Sequence, residues 1–366
     1  MTSHSRNIAD TARLIWPDYR PTPLVELPLL ARACGVARVM IKLENERPLG
    51  NFKSLGGMYA GLWALSQASG SGDIGALLAD PPSSLPTLIC ASDGNHGLAV
   101  AAAARRVGAR AIIYLHDRVP PARAERIAAL GARIVRVGGT YDDAVAAAAA
   151  AADASGLLIA DTSDRLDDAI VARVMQGYGL IASEIRDQLA AADRDFPTHM
   201  FVQAGVGGFA AAMADGLCRF LRKPGRMIIV EPETAPSVAR ALRAGAPELI
   251  SGALETSAEM LSCGLASSPA VAALLRHQAV PVLLSEALLG DAPAVLLRAG
   301  GPATTPSGAA GLAGLLYASA DRVLRRQMAM DGDSSVLLTI TEGQPCLLPT
   351  GRRPSRDVIA GATTSR

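Results

Sequence analysis

The sequence predicts an α/β protein of two lobes, each built on a mainly parallel sheet flanked by helices. Three observations lead there. Short runs of β-branched residues alternate with longer alanine-rich segments of helical period along nearly the whole chain. The runs are almost wholly apolar rather than alternating, as strands covered on both faces should be. Half of the 366 residues are hydrophobic and 19% are charged, so a large core is available and wholesale disorder is excluded.

The first apolar run, 38–42, is followed by a helical segment at 54–67 and a Gly/Ser/Pro-rich stretch at 68–86. A compact block of strand–helix units comes next. Its strands are predicted at 87–91, 110–115, 133–137 and 157–160, and the helices between them at 95–107, 121–130 and 141–154. A helix at 176–191 and a polar stretch at 191–198 lead to strands at 199–203, 227–231, 280–284 and 336–340. Helices at 207–221, 285–298 and 307–325 separate these, and 347–366 is polar. The simplest division inserts a small lobe, 87–190, into a large one made of 1–86 and 191–366. A ligand cleft is then expected between the lobes, at the carboxyl ends of strands.

Lys+Arg number 35 against 34 Asp+Glu, a net charge of +1. That balance argues against a strongly basic nucleic-acid binder or a polybasic membrane binder. The alanine-rich run 144–152 is too short and too weakly apolar to span a bilayer. Residues 1–10 are polar with no apolar h-region, so no secretory signal is read. Cys34, Cys90, Cys218, Cys263 and Cys346 lie far apart, with no CxxC pair and no Cys/His spacing suited to zinc. Reduced thiols in a cytoplasmic protein, without a metal site, are the expectation.

Four loops carry candidate chemistry. The first, Gly50-Asn51-Phe52-Lys53-Ser54, joins a strand to a helix. Peptide dipoles at a helix start favour a neutral amine, which eases Schiff-base chemistry at Lys53. A solvated surface lysine is the commoner state, although Lys42, Lys53 and Lys223 are the only lysines in the chain. The second loop, Ser92-Asp93-Gly94-Asn95-His96-Gly97, presents helix N–H groups to an anion, or else Asp93 or Asn95 merely caps the helix. The third, Gln203-Ala204-Gly205-Val206-Gly207-Gly208-Phe209-Ala210, outlines a phosphate cradle. It also mimics a dinucleotide fingerprint, with Glu231 ending the next strand. In the fourth, Thr341-Glu342-Gly343, the Thr341 hydroxyl either faces a ring nitrogen or satisfies backbone. His96, His199 and His277 are further acid–base candidates, with His96 read as supporting structure. Cys263 is placed near a substrate without assigned chemistry.

Together, in this order, the loops resemble those of the tryptophan-synthase β-like (fold type II) pyridoxal-phosphate enzymes, from Pro21-Thr22-Pro23-Leu24 through Pro306-Ser307-Gly308-Ala309 to Thr341-Glu342-Gly343. Within that class the chain is most similar to the diaminopropionate ammonia-lyase family. Asp93, Asp161-Thr162, Met175-Gln176-Gly177-Tyr178, Val230-Glu231-Pro232 and the stretch 260–265 carry this likeness. It departs from the family in a shorter lysine loop, in Ser163 where an aromatic is usual, and in a dehydratase-like Pro306-Ser307-Gly308.

The resemblance implies pyridoxal 5'-phosphate as cofactor, joined to Lys53 and held by Ala204, Gly205, Val206, Gly207 and Gly208 at its phosphate. It implies Asn95 at the ring hydroxyl and Thr341 at the ring nitrogen. It implies ammonia elimination from an amino-acid substrate, 2,3-diaminopropionate, with Lys53, Asp93 and Asp161 as catalytic groups. A serine/threonine dehydratase or a β-replacement enzyme of the same fold is the alternative, and a nicotinamide oxidoreductase a remote one. A homodimer is expected on the same ground. Read from local sequence alone, Asp161 is a turn residue on an acidic face with Asp164, Asp167 and Asp168.

Overall fold

The structure, a computed structural model, describes residues 3–92 and 94–344. One sheet has the strand order β1 (Leu24–Glu26), β2 (Arg38–Leu43), β10 (Ser335–Ile340), β7 (His199–Gln203), β8 (Arg226–Pro232), β9 (Val280–Leu284). The other runs β5 (Arg133–Val137), β4 (Ala111–His116), β3 (Thr87–Ala91), β6 (Gly156–Leu158). Every pairing is parallel except β1 with β2. The α/β class with two helix-flanked, mainly parallel sheets is therefore as expected. β2, β3, β7, β8 and β10 are buried almost throughout, which is why their sequences lack alternation.

The nine anticipated strands form within two residues of their expected bounds, and β1, only three residues long, was not anticipated. The expected helix at 176–191 begins earlier, at Ala169, because the Asp168 carboxylate accepts the Val171 N–H and caps it. Asp168 is thus a cap, whereas Asp167 pairs with exposed Arg165. The segment at 307–325 is two helices, Pro306–Ala320 and Arg322–Gln327, parted where Asp321 caps the second. Helices Ser3–Ile15, Pro28–Cys34, Ile74–Ala79, Ser237–Ala244 and Ser268–Arg276 were not anticipated. All but the first have nine residues or fewer, too few turns for a periodic signal. No helix among the described residues is long and apolar enough to cross a membrane.

Small residues set how the two sheets meet. A Cβ on Gly57 would lie 2.6 Å from Ala99 Cβ, and one on Gly61 would lie 3.0 Å from Ala103 Cβ. The helices Lys53–Ala68 and Asn95–Arg106 therefore pack almost backbone to backbone along one i,i+4 ridge. The helix Ala169–Ala191 crosses the first of them as closely, with Gly177 against Gly56. The amino ends of the two tightly packed helices, at Lys53 and Asn95, are thus drawn to one cleft.

Behind it lies a cluster of buried charges. Lys42 Nζ is 2.7 Å from Glu184, Arg47 grips Glu44 at 2.7 Å and reaches Glu184 at 2.5 Å. Tyr19 and Thr22 donate to Glu184 and Glu44, and Lys42 also donates to the Thr22 carbonyl and to Gln188. Every cation here has an acceptor, so the desolvation cost is offset only while the set is complete. Glu184→Gln keeps the shape, removes the only carboxylate paired with Lys42 among the described residues and leaves Arg47 with Glu44 alone. We expect it to lower unfolding free energy by about 3–5 kcal/mol in a guanidinium titration.

Candidate active site

Five chain segments leave carboxyl ends of strands and converge on one cleft. Lys53, Asn95, Asp161, Ala204, Gly205, Val206, Gly207, Gly208 and Thr341 all line it. The structure thus brings together every anticipated site residue except Asp93, which lies outside the described residues.

The Lys53 loop is built by Asn51. Its side chain accepts the Lys53 N–H at 3.1 Å and donates to Leu49 O, while Phe52 N–H donates to Thr341 O at 3.0 Å. The lysine thereby enters the helix directly beside the end of β10. Lys53 Nζ donates to Asp161 Oδ2 at 2.8 Å. Burial disfavours the ammonium, but the adjacent Asp161 carboxylate outweighs it, and the lysine pKa lies above its ordinary value. The neutral amine expected from helix dipoles is thus absent from this arrangement. Burial likewise opposes ionisation of Asp161, yet Lys53 holds its pKa down at about 2. Asp161 is 7% exposed, so it is no solvated turn residue.

At the second loop Gly94 holds the cap position, and the capping acceptor is Ser92, whose Oγ accepts the N–H groups of Gly94 and Gly97 at 2.9 and 2.8 Å. Asn95 is thereby released from capping, and its Nδ2 donates to Glu342. His96 is buried, bonded through Nε2 to Ile159 O at 2.7 Å, and burial lowers its pKa. It acts as support, as read from sequence. His199 is also structural, spanning Thr198 and Met328, and His277 pairs with Asp215 outside the cleft.

The glycine loop suits an anion. Gly207 has φ +93 and starts the helix Gly208–Leu217. A side chain there would also press on Val238 and Ala270 at 3.1 and 3.2 Å. The first N–H groups of this helix have no helical acceptors, and they face the cleft that holds Lys53. Ser267 N–H donates to Val206 O and Ser268 N–H to Ser163 O, tying the Asp161 segment to this loop. Cys263 Sγ would be 2.9 Å from a Cβ on Gly205, so the stretch after Met260 covers it.

Glu231 does not reach the cleft. Its carboxylate accepts the Val238 and Ala239 N–H groups at 2.8 and 2.7 Å, at the start of the helix Ser237–Ala244. The fingerprint-like spacing thus reflects a helix cap. Burial raises the pKa of Glu231 from 4.5 to about 8, against the pull of the two N–H donors. Because the folded form binds the proton more tightly, this group's contribution to stability declines as pH rises from about 4.5 to 8. Glu231→Gln is expected to remove that decline, which melting curves across this pH range would register.

Several lining residues were given no role by the sequence reading. Gln203 Nε2 donates to Thr341 Oγ1 at 3.0 Å and sits among the carbonyls of Ser307, Gly308 and Thr339. The Phe52 and Phe209 rings meet tilted at 4.5 Å, with the Tyr178 ring 4.9 Å from Phe52. The Tyr178 hydroxyl is buried with no hydrogen-bond partner among the described residues, and burial raises its pKa. Glu342 joins them. Gln203 and Glu342 lie within loops singled out in sequence, and Tyr178 lies in a quoted quartet, but none of the three was given a role there.

An amine at the cleft floor, an N–H cradle at a helix start, and hydroxyl and amide groups between them match an aldehyde-bearing aromatic phosphate. A family model described as pyridoxal-phosphate dependent enzyme matches residues 15–342. The diaminopropionate ammonia-lyase of Salmonella typhimurium is 32% identical over 354 residues, covering 89% of this chain and 86% of that protein. The Escherichia coli diaminopropionate ammonia lyase in complex with D-serine superposes with a TM-score of 0.84 at 29% identity, over 94% of this chain and 90% of that one. The same enzyme in complex with an aminoacrylate-PLP azomethine reaction intermediate gives 0.82 at 28% identity, with the same coverage. By its site and by these likenesses, this chain belongs to the pyridoxal-phosphate dependent enzyme family, with the tryptophan-synthase β-like fold.

Proposed function

We propose that this enzyme eliminates ammonia from 2,3-diaminopropionate, yielding pyruvate after hydrolysis. The observation that carries the reading is the buried carboxylate of Asp161, 2.8 Å from Lys53 Nζ. A substrate with a β-ammonium group brings a positive charge beside the reacting carbon, and a carboxylate already matched to an ammonium suits it. Serine or threonine would bring a neutral hydroxyl and leave that carboxylate unmatched.

Lys53 would hold pyridoxal phosphate through its amine, the N–H groups of Gly205–Gly208 its phosphate, Asn95 its ring hydroxyl and Thr341 its ring nitrogen. When bound, the cofactor supplies the electron sink for a carbanion at Cα. The Lys53 amine, once free, would take the Cα proton of the L-isomer. Asp161, relieved of its lysine partner, accepts hydrogen bonds from the β-ammonium, keeps it protonated and steadies it as ammonia departs. Asp93 is assigned the Cα proton of the D-isomer from its sequence position alone. Thr341 offers a neutral hydroxyl, which leaves the ring nitrogen unprotonated and suits elimination over transamination.

The reading includes a large lobe, 1–86 and 191–366, a small lobe, 87–190, a homodimer and a cytoplasmic setting. The free thiols of Cys34, Cys90 and Cys218 accord with a reducing compartment. Light scattering tests the dimer. The activity is tested by following pyruvate from DL-2,3-diaminopropionate and, separately, from serine. Much faster turnover of the diamine is expected, whereas preference for serine or threonine would make the enzyme a dehydratase with the same cofactor.

A further inference from the structure

Glu342 is a carboxylate inside the cofactor cleft with no role in the mechanism above. It is 8% exposed. Its Oε1 accepts the Thr305 hydroxyl at 2.5 Å, and its Oε2 accepts the Asn95 amide Nδ2. Its backbone is pinned as well: the carbonyl accepts Thr304 Oγ1 at 2.5 Å, and the residue bridges Asn51 in the lysine loop. Thr305 Oγ1 in turn accepts the Gly308 N–H at 3.0 Å. With a backbone donor on its oxygen, that hydroxyl turns its single proton to Glu342.

The polarity of the set is therefore determined. The Gly308 N–H donates to Thr305, Thr305 donates to Glu342, and Glu342, an acceptor only when ionised, receives a donor from Asn95. An asparagine amide has a donor end and an acceptor end of nearly equal size. Only the partner determines which way it lies.

We propose that Glu342 is a positioning residue that fixes the Asn95 amide with its nitrogen inward, so that Asn95 meets the cofactor's ring hydroxyl through its second N–H. The inference rests on the pyridoxal-phosphate reading of this cleft. A ring hydroxyl that has lost its proton needs a donor, and an amide turned the other way presents a carbonyl that repels it. Both Glu342 oxygens are committed to protein donors, which separates this carboxylate from Asp161, the one left for substrate.

The test is the affinity of the apoenzyme for pyridoxal phosphate, read by absorbance titration, together with the apoenzyme melting temperature. Glu342→Gln keeps the shape but lets the Asn95 amide turn, and should weaken cofactor binding about tenfold, the scale of one charge-assisted hydrogen bond. The double variant Asn95→Asp with Glu342→Gln separates positioning from mere packing. Its glutamine still accepts from Thr305 and now donates to the new aspartate, so the pair survives with reversed polarity. The melting temperature should recover relative to Asn95→Asp alone, where two carboxylates face each other, while cofactor affinity should stay low. Affinity that recovers with the melting temperature overturns the inference, as does unchanged affinity in Glu342→Gln. A wild-type apoenzyme that takes up no pyridoxal phosphate overturns the reading of the cleft as well.

Discussion

Lys53→Ala is expected to abolish the long-wavelength absorption of the bound cofactor and to cut pyruvate formation by roughly 10³-fold or more, since it removes both the attachment point and the base. The same substitution has a second effect that activity does not report. Asp161 loses the cation that holds its pKa at about 2, and a buried carboxylate is left without its partner. A stability loss of about 1–3 kcal/mol follows, measurable by chemical denaturation of the apoenzyme. Adding Asp161→Asn to Lys53→Ala should return most of that stability and none of the activity, because the neutral amide no longer needs a cation. The pH dependence has a definite direction. The depressed carboxylate contributes stability above its ordinary pKa of 3.8, lost as pH falls toward 2. The raised lysine contributes fully below 10.5, and that contribution is lost only as pH climbs beyond it. Between these limits the pair is intact, so a Lys53→Ala penalty that varied strongly around neutrality would contradict the pairing.

The strands and the loops that follow them were legible because buried parallel strands leave continuous apolar runs and phosphate loops leave glycines. What the sequence concealed depends on contacts between distant segments. Asp161 reads locally as one of several acidic residues, and only its approach to Lys53, 108 positions earlier, shows it to be buried and paired. Asn95 reads as a cap as readily as a ligand. Ser92 took the cap by accepting two N–H groups, a choice that depends on backbone geometry around Gly94, at φ +144. Glu231 sits where a ribose-binding acid would, and it became a cap because an unanticipated eight-residue helix starts beside it. Gln203 and Glu342 look like ordinary members of the marked loops until their partners, more than a hundred and thirty and two hundred and forty positions away, are seen.

Asp161→Asn separates two duties that the ion pair combines. The Asp161 carboxylate neutralises Lys53 in the apoenzyme and, in the proposed reaction, the β-ammonium of the substrate. Asparagine preserves the shape and removes the charge, so kcat/KM for diaminopropionate should fall roughly 10²- to 10³-fold, the scale for losing one member of a desolvated charge pair. Serine carries no β-charge, and its elimination should fall by about tenfold at most. The lysine responds in the opposite sense. Without the carboxylate, the burial that already opposes its ammonium is no longer outweighed, its pKa drops, and the free amine needed as base becomes more available at neutral pH. For serine this gain partly offsets whatever Asp161 contributes to orientation, whereas for diaminopropionate it cannot replace the missing counter-charge. The ratio of the two kcat/KM values is therefore the informative quantity. If both substrates lose activity in the same proportion, Asp161 serves Lys53 and not the leaving ammonium, and selectivity for the diamine must come from another group in the cleft.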